Sequence, residues 1–252
     1  MIRLNKFLNQ QKLLLLGLSA IGIIAAPNQA NAFTLVNRDN LTDTQFSNML
    51  LTKEYTETFV AESRMGNNGL SGNGERELGI NSPWLPSSNG KLVGGDPVAK
   101  GDRTWISGTP VNFVLEYNGS QVKYTVGNEL ISSTVFTGAA TDIFLRTFAL
   151  KDSTSTLTNL VLDGKAIGKN LSSTATTTTS DADYLQISGI TAPFKLTGQS
   201  VFSWTGTTAP KNSQLAYQIK VVSGATQSVP EPGTVGALIV ASGMIAGAKR
   251  KK

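Results

Sequence analysis

The chain of 252 residues contains no histidine and no cysteine. Without histidine it cannot form the Ser-His-Asp or Cys-His arrangements of nucleophilic catalysis, and it lacks a common metal ligand. Without cysteine it cannot form disulfide bonds or thiolate metal sites. Any catalysis would have to depend on paired carboxylates, a Ser-Lys dyad or a metal ion bound through oxygen atoms.

Charged residues are also few, at 15% of the chain, and they are unevenly placed. Residues 1–32 carry three basic residues and no acidic one, whereas residues 229–252 carry four basic residues and one acidic one. Residues 33–228 hold 15 basic and 16 acidic residues, so the net charge of +5 arises at the two ends. A nucleic-acid-binding protein needs a basic patch in its folded part, so we expect no nucleic-acid partner.

The first 32 residues have the pattern of a secretory signal peptide. A basic start is followed by an uncharged apolar run of 14 residues, 13–26, and then by the small-residue motif Ala30-Asn31-Ala32. The run is shorter than the roughly 20 residues of a membrane-spanning helix. We therefore predict cleavage after Ala32, with an uncleaved N-terminal anchor as the alternative.

The last 24 residues consist of three elements in a fixed order. The motif Pro230-Glu231-Pro232 comes first, and residues 233–248 form an uncharged segment that can just cross a membrane with local thinning. Basic residues after such a segment hold that end on the cytoplasmic side, which predicts a weak transmembrane helix. The alternatives are an ordinary tail anchor or a buried C-terminal helix. The basic cluster consists of Lys249, Arg250, Lys251 and Lys252.

This tail resembles the PEP-CTERM sorting signal. In that family a membrane-embedded exosortase, a cysteine transpeptidase-like enzyme, recognises the tail and cleaves near the Pro-Glu-Pro motif. Such proteins belong to bacteria that make extracellular polysaccharide. The resemblance covers 24 of the 252 residues. It implies an exosortase as partner, export through the inner membrane, a transient membrane anchor and a final place at the cell surface or outside the cell, but no activity.

Residues 33–228 predict a single β domain, because 48 of these 196 residues are Ser or Thr and apolar residues recur with the period of a strand. The clearest signal is the segment 111–126, in which two alternating runs flank Asn118-Gly119. An Asn-Gly pair between alternating runs favours a tight turn with positive φ, so this segment predicts a β-hairpin.

Further strands are predicted from the same alternation, and together they number eight to eleven. Residues 142–150 are apolar on both faces and predict a central strand. The only predicted helix is Thr42–Leu51. Thr42 and Gln45 have the spacing of a capping box at its start. We therefore predict an all-β fold, an antiparallel β-sandwich or jelly roll with one short N-terminal helix. The other predicted strands are 33–37, 56–64, 156–164, 184–190, 200–204 and 214–222.

Two stretches predict irregular structure. Residues 66–102 contain nine Gly and three Pro, which favours long loops. Residues 172–180, with the sequence SSTATTTTS, predict a mobile low-complexity connector.

The domain at 33–228 also resembles the choice-of-anchor W domain of secreted, mainly cyanobacterial, proteins. That family name means that such domains precede different surface-attachment signals, and it implies no activity and no catalytic residue. The matching stretches are AESRMGNNGLSGNGERELGI, PVNFVLEYNGSQVKYTVG, TDIFLRTFALKDSTSTLTNLVLDGKAI and FSWTGTTAPKNSQLAYQIKV.

The remaining catalytic arrangements have weak candidates. Ser88–Lys91 and Ser120–Lys123 have the Ser-x-x-Lys spacing, but neither is followed by a Ser-Asp-Asn or Lys-Thr-Gly element, and chance explains both in a Ser-rich chain. Glu75 and Glu77 are candidates for glycoside chemistry, which needs two carboxylates about 5–10 Å apart. The alternative is a charged loop that pairs with nearby arginines. We expect no catalytic residue.

We expect no cofactor, with a structural calcium ion as an open alternative. Extracellular β domains often bind calcium through Asp, Asn and backbone oxygens, although the chain contains no EF-hand loop. The sequence does not choose among three candidate groups of side chains. These are Asp39, Asn40 and Asp43; Asp96 and Asp102; and Asp181 and Asp183.

Tryptophans are the candidates for stacking on a sugar. Trp105 and Trp204 lie in strand patterns, which predicts positions in the core. Trp84 lies between Pro83 and Pro86 in a predicted loop, so it is the candidate for an exposed glycan contact.

These observations predict an exported, surface-sorted, non-enzymatic protein with a structural or adhesive role in the extracellular polysaccharide matrix. Two alternatives stay open. The first is a carbohydrate-binding module that uses Trp84, and the second is a carboxylate-dependent, glycoside-active enzyme.

Overall fold

Strands dominate the chain because apolar residues alternate with polar ones along most of it. The computed structural model describes residues 33–66 and 77–224, which contain sixteen strands and one α-helix. In chain order the elements are β1 (Thr34–Asn37), α1 (Asp43–Leu51), β2 (Tyr55–Arg64), β3 (Leu78–Asn81), β4 (Trp84–Pro86), β5 (Leu92–Gly94), β6 (Pro97–Gly101), β7 (Val111–Tyr117), β8 (Val122–Val126), β9 (Glu129–Ser133), β10 (Asp142–Leu150), β11 (Ser153–Leu162), β12 (Lys165–Ala166), β13 (Leu171–Ala175), β14 (Ser180–Ser188), β15 (Phe194–Trp204) and β16 (Leu215–Gly224).

The strands form two antiparallel sheets of seven strands each and one small hairpin. The first sheet has the order β1-β14-β10-β16-β2-β3-β6. The second has the order β12-β11-β15-β7-β8-β9, and β13 pairs with β11 beside this path. The strands β4 and β5 pair only with each other among the described residues.

The two sheets pack face to face around one apolar core, which confirms the predicted β-sandwich. Tyr217 of the first sheet lies 5.5 Å from Phe113 and 6.0 Å from Phe202 of the second, measured between ring centroids. Tyr217 and Tyr124 also share a buried hydrogen bond of 2.8 Å between their hydroxyls. The core therefore joins the sheets by aromatic contacts and by a polar contact that is satisfied internally.

Several local predictions are confirmed. The helix begins with Thr42 as its N-cap, and the capping box with Gln45 is present in both directions. The hairpin β7–β8 turns at Asn118-Gly119, where Gly119 has φ +94° and the Asn118 side chain accepts hydrogen bonds from the turn. The segment 142–150 forms β10, an interior strand between β14 and β16.

The prediction of long loops over residues 66–102 is wrong for most of its described part. Four strands, β3 to β6, lie there, and β3 is buried on both faces between β2 and β6. Strands of three to five residues are too short to show the alternation of apolar and polar residues that predicts a strand. The high Gly and Pro content of the segment therefore led to the prediction of loops. This is also why the described residues hold sixteen strands rather than eight to eleven.

The predicted connector at 172–180 is also wrong in its first half. Residues 171–175 form β13, in which Leu171, Ser173 and Ala175 are buried. Ser173 is tolerated inside because its hydroxyl shares a 2.8 Å hydrogen bond with Thr147. A strand whose inward positions are filled by small residues does not show the apolar alternation that predicts a strand.

A second, smaller apolar cluster covers the outer face of the first sheet. Helix α1 contributes Phe46 and Leu50 to it, and the sheet contributes Phe144, Tyr184 and Val222. The ring of Phe46 lies 5.1 Å from Phe144 in an edge-to-face contact. In the part of the chain that is described, no helix has the length and apolar character needed to cross a membrane.

Candidate functional site

A pocket of about 390 Å³ opens beside helix α1, on the outer face of the first sheet. The helix and the β4–β5 hairpin form its walls, and strands β10 and β16 form its floor. The pocket lies where the helix stops covering the sheet, so apolar and charged side chains meet there. The residues that line it are Asp43, Phe46, Ser47, Leu50, Trp84, Leu92, Arg146, Gln218 and Lys220.

Trp84 is the large exposed side chain of this pocket. It is 41% exposed, which confirms the expected exposure, but it begins strand β4 and does not lie in a loop. Its ring lies against Gly95, which has φ +79°, and a Cβ at that position would lie 2.3 Å from the indole and force it to move. The backbone N–H of Trp84 donates a 2.8 Å hydrogen bond to Oε2 of Glu57. The hydrogen bond fixes the backbone of Trp84, and the contact with Gly95 places the indole beside the pocket.

Glu57 reaches the outer face through a β-bulge in β2. Phe59 pairs with Val221 and Glu57 pairs with Val222, so Thr58 is an extra residue without a partner in β16. In a regular strand Glu57 would point the same way as Phe59, into the core. The bulge turns it to the face that carries Lys220.

Lys220 and Glu57 form a buried ion pair beneath the pocket. Lys220 is 7% exposed and Glu57 is 2% exposed, and the Lys220 Nζ lies 3.8 Å from Oε1 of Glu57. Burial lowers the pKa of Lys220, against the attraction of Glu57, and burial raises the pKa of Glu57. Nζ also lies 4.8 Å from the centre of the Phe46 ring, a cation–π contact. The pair therefore places a poorly solvated ammonium at the pocket floor.

Arg146 is held much more firmly than Lys220. Its Nε and Nη2 donate to the two carboxylate oxygens of Asp43 at 2.6 and 2.5 Å, and the hydroxyl of Tyr184 donates to Asp43 at 2.6 Å. Burial opposes the ionisation of Asp43, but the bonds and charge of Arg146 outweigh it and lower the pKa of that carboxyl. This network fixes the start of helix α1 to strand β10.

The calcium candidates do not come together. Asp39 lies 2.7 Å from Nζ of Lys169, and Asp43 is paired with Arg146, so both carboxylates already have a cation. Asp181 accepts a hydrogen bond from the backbone N–H of Thr174. The described residues contain no group of three acidic side chains that could hold a metal ion.

Of the two candidate carboxylates for glycoside chemistry, Glu75 lies outside the described residues. Glu77, which the sequence favours as part of a charged loop that pairs with arginines, directly precedes strand β3. It is buried, and its Oε2 accepts a 2.9 Å hydrogen bond from the backbone N–H of Gly66. The serines and lysines of the pairs Ser88–Lys91 and Ser120–Lys123 are all exposed.

The other two tryptophans belong to the core. Trp105 is buried with its ring centre 4.5 Å from that of Phe202, although it lies outside the strands rather than in one. Trp204 ends β15 and packs against the main core while partly exposed. Among the three, Trp84 alone lines the pocket.

Sequence reasoning missed Glu57, Arg146 and Lys220. Each is a lone charge within an apolar stretch, as in the segments ETFVA, FLRTF and QIKVV. Burial of a charged side chain costs free energy unless the charge is paired. A lone charge within an apolar strand pattern therefore indicates a buried ion pair, and this signal could have found the three residues. Which charges pair depends on sheet register, which the sequence does not display.

The sorting and cleavage residues lie outside the described part of the chain. These are Ala30, Ala32, Pro230, Glu231, Pro232, Lys249, Arg250, Lys251 and Lys252. A scan against models of protein families gives no match for this chain, and a search of the curated proteins finds none that matches significantly. The resemblances stated for the tail and for the middle domain therefore stay predictions.

Proposed function

We propose that the β-sandwich is an adhesive, non-enzymatic domain that binds extracellular polysaccharide through the pocket beside Trp84. The observation that carries the proposal is the exposed indole, held against Gly95 at the mouth of a pocket that also contains polar side chains. An aromatic ring fixed in this way offers its apolar face to the C–H groups of a sugar ring, and the neighbouring polar groups bind hydroxyls.

The pocket suits binding in size and composition. Its volume of about 390 Å³ falls within the usual range for small-molecule sites. Gln218 and Ser47 can donate and accept hydrogen bonds, as sugar hydroxyls require. Among the described residues the pocket lining contains one carboxylate, that of Asp43, and it is hydrogen-bonded to Arg146. Glycoside hydrolysis needs two carboxyl groups. This supports adhesion over turnover.

The two ends of the chain support a role outside the cell. We propose that residues 1–32 are removed as a signal peptide and that an exosortase then processes the tail at Pro230-Glu231-Pro232. The resemblance of the tail to the PEP-CTERM signal carries this part of the proposal. The domain at 33–228 would then act at the cell surface or in the matrix.

Replacement of Trp84 by alanine tests the binding proposal. We expect Trp84→Ala to weaken binding to oligosaccharides by about tenfold or more, because burial of a large apolar side chain is worth about 1.5–3 kcal/mol. Binding can be measured by isothermal titration against a panel of bacterial polysaccharide fragments. Trp84→Phe retains an aromatic face and should keep most of the affinity.

The matched control is Leu85→Ala, which removes the next side chain of the same strand. Leu85 is exposed to a similar degree, at 42%, but it does not line the pocket. Equal loss of binding in both variants, or no binding by the native domain to any fragment, would refute the proposed function. Thermal unfolding of each variant confirms that the fold is intact.

A further inference from the structure

The ammonium of Lys220 lines this pocket without a hydrogen-bond acceptor among the described residues. Among the described residues its Nζ donates no hydrogen bond, and its nearest carboxylate oxygen, Oε1 of Glu57, lies 3.8 Å away, beyond hydrogen-bond distance. That same oxygen is buried without any hydrogen-bond partner. An ammonium has three donors, so the pocket floor holds a charge whose hydrogen bonding is unfilled.

The other charges of the pocket do not fill this need. Oε2 of Glu57 is engaged by the backbone N–H of Trp84. The carboxylate of Asp43 binds Arg146 through both oxygens and also accepts from Tyr184. The described pocket lining therefore contains two cationic side chains, Arg146 and Lys220, and one carboxylate, that of Asp43. That carboxylate is hydrogen-bonded to Arg146. An incoming acceptor would complete the hydrogen bonding of Lys220, and an anionic acceptor would add the attraction between opposite charges.

We propose that the pocket selects acidic sugars, whose carboxylate or sulfate group binds the ammonium of Lys220 while the ring stacks on Trp84. This inference rests on the proposed function and adds the class of ligand to it. Both a hydroxyl and an anionic group accept charge-assisted hydrogen bonds from the ammonium, but only the anionic group adds an attraction between opposite charges, which is stronger in a poorly solvated site. A neutral sugar offers only hydroxyl acceptors and lacks that attraction.

Paired ligands that differ only in charge test the inference. The probes are an oligogalacturonate, the same oligosaccharide after reduction of its carboxylates to primary alcohols, and a sulfated oligosaccharide with a neutral backbone. We expect the native domain to bind the galacturonate about tenfold more tightly than its reduced form. Binding to the sulfated probe with loss in Lys220→Met would assign the site to sulfate, and binding to the galacturonate alone would assign it to carboxylate.

Replacement of Lys220 by methionine removes the charge and keeps the length of the side chain. Lys220→Met should weaken binding of the acidic probe by about tenfold and binding of the reduced probe, which loses only a hydrogen bond to a hydroxyl, by much less. Substitution of an apolar residue into a buried ion pair is often neutral for stability, so the variant should fold. Lys195→Met is the matched control, because Lys195 lies on the second sheet and pairs with Glu116 at 3.0 Å.

A second variant acts in the opposite direction. Glu57→Gln keeps an oxygen for the N–H of Trp84 but removes the negative charge beneath Lys220. It should bind the acidic probe several-fold more tightly than the native domain, with no change for the reduced probe. Weaker binding of the acidic probe in this variant would contradict the role given to the ion pair.

The outcomes separate this inference from the proposed function. Equal binding of acidic and reduced probes by the native domain, with no effect of Lys220→Met, would overturn acidic selectivity and leave glycan binding through Trp84 standing. Absence of binding to every probe would overturn both. Loss of the acidic probe alone in Lys220→Met, with the Lys195→Met control unchanged, would support both.

Discussion

At the scale of single residues, the outer face of the first sheet is governed by how each buried charge is partnered. Arg146 has a bidentate carboxylate partner, whereas Lys220 has a distant one at 3.8 Å. The Asp43–Arg146 salt bridge connects helix α1 to the first sheet. The distant partner of Lys220 leaves a donor group free to meet a ligand, which is why we assign binding to Lys220 and stability to Arg146.

The salt bridge between Asp43 and Arg146 leads to a prediction about the stability of the fold in acid. The pKa of Asp43 is below its ordinary value of 3.8, so the ionised carboxylate stabilises the fold above that pH and the contribution is lost as the pH falls through the lowered pKa. Asp43→Asn should therefore reduce the free energy of unfolding by about 1–2 kcal/mol at neutral pH, the carboxylate being half exposed. Urea unfolding across the acid range measures this.

The loss should shrink as the native Asp43 becomes protonated, because a protonated carboxyl and an amide are then similar partners for Arg146. The control is the same change in a protein that carries Arg146→Met, where the pH-dependent difference should disappear. A stability difference between the native protein and the Asp43→Asn variant that is constant with pH would contradict this account.

At the scale of elements, one nine-residue helix and one bulge create the pocket. Helix α1 is short, and isolated helices of this length are marginal in water, so its cap and its packing decide whether it forms. Phe46 and Leu50 pack it on the sheet, and Thr42 begins it. The bulge at Thr58 brings Glu57 to the same face, beneath the place where the helix and the β4–β5 hairpin meet.

The cap makes the second prediction. Thr42→Ala removes the side-chain oxygen that accepts from the backbone N–H of Gln45 at 3.2 Å, and it should cost about 1 kcal/mol of unfolding free energy. Thr44→Ala is the matched control, since Thr44 is exposed inside the helix, where alanine is the better helix former. Chemical unfolding should show a loss for the first variant and no loss for the second. Equal effects would mean that the capping box contributes nothing.

At the scale of the whole molecule, the charge distribution separates the domain from its ends. Residues 1–32 and 229–252 each carry a net charge of +3, and the domain between them carries −1. A nearly neutral domain has no strong field of its own, so the selectivity for acidic sugars would have to arise locally, at Lys220.

The proposed sorting signal makes the third prediction. Glu231→Ala, or deletion of Lys249–Lys252, should leave the protein unprocessed in the inner membrane, because the first removes the motif and the second removes the charges that orient the segment. Membrane fractionation and intact mass of the protein from its native host measure this. Glu129→Ala, an exposed change in strand β9, should be processed normally. Normal processing of both tail variants would refute the sorting proposal.

The sequence predicted the parts of the fold that depend on neighbours along the chain. The capping box needs only Thr42 and Gln45, and the β7–β8 hairpin needs only two alternating runs and Asn118-Gly119, so both were predicted in place. The strands β3 to β6 and β13 were missed because they are short or filled with small residues. Their structure depends on pairing with neighbouring strands: β3 pairs with β2 and β6, β4 pairs with β5, and β13 pairs with β11.

By itself, then, the sequence determined the all-β class, the start of the helix and the exposure of Trp84, and it predicts the two processed ends. Only the tertiary structure decided that Trp84 shares a pocket with Lys220, and that Arg146 meets Asp43 across 103 residues. The physical reason is that local propensity and hydrophobic period act between near neighbours, whereas sheet register and a single bulge decide which distant charges share a face.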